Sequence, residues 1–239
     1  MKASLLSTSV FLALCSTSFG TVLLTDDFSY PDGDLTTSAA WSNHSGSGSF
    51  VQVTSQTITL VQGSGSREDV NASLGITMGA GETYYASFDV TVSGGSTTAY
   101  FAHFKDSATG FNGRIFVAAP SSGGDFTFGL SDVGSSPDTT FATDFSFNTS
   151  YKLVVSYDYD TGLSELWVNP TSEASPSISS VTADPSQPME AFAFRQGSGN
   201  STEVIDNLVV ATTFAEVVPE PSITLLGGIG LLGLLRRRR

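Results

Sequence analysis

Carboxylates are the most abundant reactive groups in this chain: twenty-three Asp and Glu stand against ten Lys and Arg, two His and one Cys in 239 residues. Retaining glycoside hydrolysis needs two of them about 5 Å apart, and on a strand side chains share a face only at even spacing. Glu203 and Asp206 are three apart and Glu68 and Asp69 are adjacent, so neither pair converges on its own strand. His44 lies in a Ser/Gly-rich stretch and His103 among Phe101 and Phe104. They lack metal-ligand spacing, and no serine nucleophile is paired with either by sequence, so both are expected to be structural. Residues 63–66 (Gly-Ser-Gly-Ser) and 121–124 (Ser-Ser-Gly-Gly) lack the lysine and following helix of a phosphate loop. No catalytic constellation is legible, and the chain reads as non-enzymatic.

The two ends speak of location. Near the C-terminus stand Val218, Pro219, Glu220 and Pro221, then an uncharged apolar run at 223–235, then Arg236, Arg237, Arg238 and Arg239. The prolines keep a helix from starting earlier, and a terminal arginine block favours retention on the cytoplasmic side of a membrane. Thirteen helical residues reach only ~20 Å of a ~30 Å hydrocarbon core, so flanking residues must extend the span, here taken as 222–235. This order resembles the PEP-CTERM signal of Gram-negative bacteria. The resemblance implies recognition by an exosortase, an inner-membrane anchor in transit, and final residence at the cell surface or in the extracellular matrix. At the other end, Lys2, the apolar residues 10–15 and Ser18-Phe19-Gly20 have the layout of a secretory leader cut by signal peptidase, expected after Gly20. Cys15 lies inside that leader, behind Leu14 where a lipoprotein site takes a small residue, so the mature protein is expected to lack thiols and disulfides.

Removing the ends sharpens the charge. Lys2 and the terminal arginines account for five of the ten basic residues, which leaves five against twenty-three acids and a net charge of −18 on the rest of the chain, Glu220 included. Such a surface repels nucleic acid and anionic lipid and is soluble when crowded.

The body, residues 21–217, is long enough for one domain with a substantial core. Alternating runs at 49–53, 57–60, 85–92, 100–104, 114–117, 126–128, 191–194 and 204–210 read as half-buried antiparallel strands. The clearest hairpin joins 151–159 to 163–170 through Asp160-Thr161-Gly162, whose Asp and Gly suit a tight reversal. Alternation lets only one of Leu166 and Trp167 face the core, alongside Phe88, Val90, Val154 and Leu208. Residues 171–188, rich in Ser and Pro, read as a surface loop. Ten or more short strands predict an all-β, two-sheet sandwich.

Residues 26–35 (Asp-Asp-Phe-Ser-Tyr-Pro-Asp-Gly-Asp-Leu) with Trp41, the arm 166–170, and residues 194–197 followed by 205–210 are similar to laminin-G-like, concanavalin-A-like jelly rolls of exported bacterial proteins. In those domains an Asp-Asn pair, here Asp206-Asn207, precedes the last strand. The resemblance implies a module that binds carbohydrate or protein at a loop rim, often with Ca²⁺. It offers Asp26, Asp27, Asp32 and Asp34, and secondarily Asp158 and Asp160, as metal ligands; ordinary turn chemistry accounts for the same residues. Trp41 and Trp167 are available to stack on sugar, or to fill the core. The same fold also houses glycoside hydrolases and lyases, but the Glu-x-Asp-x-x-Glu string of its laminarinase-like members is absent. The expectation is an exported adhesive or polysaccharide-binding protein.

Overall fold

Short apolar-alternating runs punctuated by Gly and Ser cannot bury both faces alone, so they pair edge to edge and stack in two layers. The computed structural model describes residues 20–63 and 66–219. The first sheet contains, in spatial order, β14 (Ser177–Ser179), β13 (Ser164–Val168), β12 (Ser150–Asp158), β7 (Thr83–Gly94), β16 (Ser201–Ala211), β5 (Thr57–Val61), β4 (Gln52–Thr54) and β2 (Gly33–Asp34), with β1 (Val22–Asp26) also on β16. The second runs β11 (Thr139–Thr140), β10 (Thr127–Ser131), β9 (Phe111–Ala118), β8 (Ala99–Lys105), β15 (Ala191–Phe194), β6 (Asp69–Ser73) and β3 (Ser42–Ser45). Pairing is antiparallel throughout. The fold is the expected all-β jelly-roll sandwich.

The core lies between the layers. Phe88 of β7 meets Phe101, Phe192 and Phe194 of the facing sheet at 6.2, 6.0 and 5.5 Å between ring centroids. Val90, Leu166 and Leu208 join the same buried cluster. The predicted hairpin forms, with Leu153 opposite Val168 and Tyr157 opposite Ser164. Asp158 accepts from both the backbone N–H and the hydroxyl of Thr161, and Gly162 takes φ +67° against the backbone of Pro185. A side chain at Gly162 would meet that backbone, so only glycine fits there.

Three expectations change, and one short element is added. Val154 does not face the inter-sheet core; with Trp167 it points out of the first sheet, where a second apolar cluster buries both. Residues 171–188 are not all loop: β14 pairs with β13 as an edge strand, too short and too polar for alternation to reveal. A helical turn, α1 (Phe214–Val217), follows β16. Asp206-Asn207 lies inside the last strand rather than before it, at a bulge where Asn207 adopts φ +55°. That bulge divides β16: one edge of its first part pairs with β5, and one edge of its second part with β1.

Among the described residues no helix is long and apolar enough to cross a membrane. The leader up to residue 19, the expected span 222–235, and Glu220, Pro221 and Arg236, Arg237, Arg238 and Arg239 lie outside them.

Candidate functional site

The Asp26–Asp34 group serves the fold. Asp26 accepts from the Phe28 N–H (2.8 Å), the Tyr30 hydroxyl (2.8 Å) and the Trp41 indole N–H (2.7 Å). Asp27 caps Ser29 N–H, Asp32 accepts from Ser55 N–H, and Asp34 accepts from the Gln52 amide. Each carboxylate is thus already engaged within the fold, and among the described residues no three His, Cys, Asp or Glu converge as an ion would require. Asp160 likewise caps Gly81 N–H. Neither tryptophan is free for a sugar. Trp41 is buried, its ring stacked 5.6 Å from Phe194, and Trp167 packs 5.2 Å from Phe214. The Ser121–Gly124 loop also keeps its donors occupied, since Asp144 accepts from the N–H groups of Ser121, Ser122 and Gly124.

A different region collects polar groups that the fold leaves unmatched. Register shifts in β8 after Tyr100 and after Ala102 turn Tyr100 and His103 to the outer face while Phe101 and Phe104 stay in the core. On β9, Ile115 and Val117 point inward, leaving Phe111, Arg114 and Phe116 beside Tyr100 and His103. Arg195, directly after β15, brings a second charge to the same ring: its guanidinium carbon lies 4.2 Å from the Tyr100 centroid, and that of Arg114 lies 5.6 Å from it. A guanidinium at such a distance is attracted by the ring quadrupole. Arg195 reaches Asp69 only at 3.9 Å. Beyond it, Arg67, Asp69, Arg195, Gln196 and Gly197 line a cavity of about 230 Å³.

His44 of β3 meets His103 at 6.0 Å between centroids and Phe111 at 6.1 Å. His103 is fully buried, and burial pushes its imidazole down to about 3, with His44, Arg114 and Arg195 adding like-charge repulsion. Burial, followed by Lys105, pushes His44 down to about 4. Both rings are therefore neutral at neutral pH. His103 Nδ1 faces the Phe104 carbonyl at 3.0 Å, which assigns the proton to Nδ1 and leaves Nε2 an acceptor. That Nε2, His44 Nδ1, Arg67 Nε and Arg114 Nε are all buried without a hydrogen-bond partner. Buried polar groups are normally paired, and leaving one unpaired costs ~1–3 kcal/mol.

Charge is concentrated in the same place. The body has five cationic side chains, and Lys152 alone lies on the first sheet, paired with Asp89. The other four, Arg67, Lys105, Arg114 and Arg195, border this face; among the described residues Arg67, Lys105 and Arg114 have no ion pair within 4.0 Å. Sequence reasoning treated His44 and His103 singly and gave Tyr100, Arg114 and Arg195 no role. The available signal was the scarcity of cations: five in a long acidic body are individually worth placing.

Residues 217–239 match the family described as PEP-CTERM protein-sorting motif. The chain is therefore an exported protein sorted at the membrane and processed by an exosortase. A search of curated protein sequences finds no match. Among solved structures, a peanut lectin bound to a nonapeptide superposes with TM-score 0.52 at 14% identity, covering 82% of this chain and 98% of the lectin. A sialidase superposes with TM-score 0.53 at 12% identity, covering 80% of this chain. The chain spans about a fifth of that sialidase, 19% of its length. An alginate lyase from Alteromonas sp. 272 gives 0.46 at 16% identity, over 73% of this chain and 95% of the lyase. The lectin and the sialidase establish a shared sandwich architecture.

Proposed function

We propose that this is a non-enzymatic carbohydrate-binding protein of the cell surface or extracellular matrix of a Gram-negative bacterium, delivered by exosortase processing. The observation that supports it best is the half-buried Tyr100 ring flanked by Arg114 and Arg195 on the outer face of the second sheet. An aromatic face packs against the C–H surface of a sugar ring while neighbouring guanidinium forks donate to its oxygens, the division of labour typical of ligand sites.

Binding is favoured over catalysis by the state of the acids and bases. Glu68, Asp132 and Glu203 are buried and already accept hydrogen bonds within the fold. His103 is fully buried and too weakly basic to take a proton near neutral pH. The test is affinity electrophoresis of the full-length chain, in mild detergent, through gels containing a panel of polysaccharides. Retardation by at least one, reduced by Tyr100→Ala, is expected; turnover of any of them into shorter products would overturn the non-enzymatic reading.

Delivery has its own test. Replacing Pro219, Glu220 and Pro221 with alanine leaves the apolar run and the arginines intact, so membrane insertion is expected to persist and maturation to stop. Following C-terminal mass and cell fraction in a host carrying an exosortase checks this; wild-type processing of the variant would defeat it.

A further inference from the structure

Resting on the carbohydrate reading above, we infer that the outer face of the second sheet selects an acidic polysaccharide, with a sugar carboxylate held between Arg195 and Arg114 over Tyr100. Three independent observations converge. Two guanidinium groups share one aromatic ring, and neither is neutralised by a close, well-aligned carboxylate: Asp69 lies 3.9 Å from Arg195, and Arg114 has no partner within 4.0 Å among the described residues. Like charges held near one another are unfavourable where their counter-charges are distant or misaligned, and an anion placed between them reduces that cost.

Second, the unmatched buried atoms include two kinds of hydrogen-bonding group. The Nε–H groups of Arg67 and Arg114 are donors, whereas His103 Nε2 is an acceptor beneath Tyr100 and Phe111. A carboxylated sugar presents both acceptors and hydroxyl donors; a bare inorganic anion presents acceptors alone. Third, the location is selective. A body with only five cations against its many carboxylates repels polyanions over most of its surface, so an acidic chain is steered to the face where four of those five cations lie. Guanidinium recognises carboxylate through a planar fork, whereas an ammonium offers only a point charge.

The experiment uses the full-length chain in mild detergent with polygalacturonate, the same polymer after methyl esterification, a neutral glucan, and inorganic polyphosphate, titrated at low and high salt. Expected is binding to polygalacturonate that weakens on esterification, with high salt, and by roughly tenfold or more in Arg195→Ala, the loss of one charge-assisted hydrogen bond. Arg195→Lys retains charge without the fork and is expected to fall between the two. A cooperative melting transition within a few degrees of wild type in both variants verifies folding. Equal affinity for esterified and free polymer would overturn the acidic-sugar proposal and leave the carbohydrate reading intact. Binding to polyphosphate as tight as to polygalacturonate would overturn it as well, exposing a generic anion site. Absence of binding to all three glycans would defeat both readings.

Discussion

The two outer faces of this sandwich meet solvent differently. On the first sheet, Val154, Trp167 and Ala211 are covered by the chain's own continuation: Phe214 and Val217 of α1 and then Val218 close over them, and the Val217 carbonyl accepts from the Ser87 hydroxyl at 3.0 Å. On the second sheet, Tyr100, His103, Arg114 and Arg195 form a face on which His103 Nε2 and Arg114 Nε are buried without a hydrogen-bond partner. One face is closed within the chain; the other keeps buried polar atoms unmatched. Burial alone therefore does not tell how a residue is satisfied: Trp167 and His103 are almost equally inaccessible, yet the Trp167 indole N–H is paired and His103 Nε2 is not.

The strongest way to break the contrast is to open the closed face. Trp167→Ala removes the largest side chain of the outer apolar cluster and is expected to cost ~3–5 kcal/mol, read as a lower denaturant midpoint. Loss of under 1 kcal/mol would mean that α1 contributes little to closure.

Next in size is a pH effect inside the fold. Burial pushes fully buried Glu203 up to about 7, although Ser201 and Gln62 donate to its carboxylate. Its folded value lies above the ordinary 4.5, so its contribution is fully present below pH 4.5 and is lost as pH rises through about 7. The histidines work the other way. Their folded values lie below the ordinary 6.5, so stability falls as pH drops from 6.5 towards 4 for His44 and towards 3 for His103. Glu203→Gln is expected to remove a decline of a few kcal/mol between pH 4.5 and 7, measured by denaturation across pH. A slope unchanged by the variant would reassign it to other groups.

Smaller still is the stability cost of emptying the open face. Arg195→Ala loses a long, partly buried ion pair and is expected to shift stability by ~1 kcal/mol or less, in contrast to its effect on binding. A loss as large as that of Trp167→Ala would make the two faces alike. The smallest effect concerns calcium: adding Ca²⁺ to chelated protein is expected to leave the melting temperature unchanged, because Asp26, Asp32 and Asp34 already accept hydrogen bonds within the fold. A rise in melting temperature, reduced by Asp27→Ala or Asp32→Ala, would restore the metal reading.

What the sequence revealed follows from the range of the signals. Alternation is local, so β7, the β12–β13 hairpin and its turn were legible, as was the sandwich they imply. Leu166 and Trp167 showed opposite faces, but nothing local said that the outward one would be covered by Phe214, nearly fifty residues later. The open face was hidden for the same reason. Tyr100, Arg114 and Arg195 come from three segments, and the shifts in β8 that present Tyr100 and His103 together break the very alternation on which strand reading depends. Motif order is also local, and the sorting signal was legible for that reason.

The matched motif starts at residue 217, while Val217 and Val218 are still buried against Trp167 and its neighbours. The folded body and the sorting signal therefore share residues. A truncation that removes the whole matched motif would take Val217 and Val218 with it and uncover Trp167, so the signal cannot be cut away at its first residue without also opening the closed face of the fold.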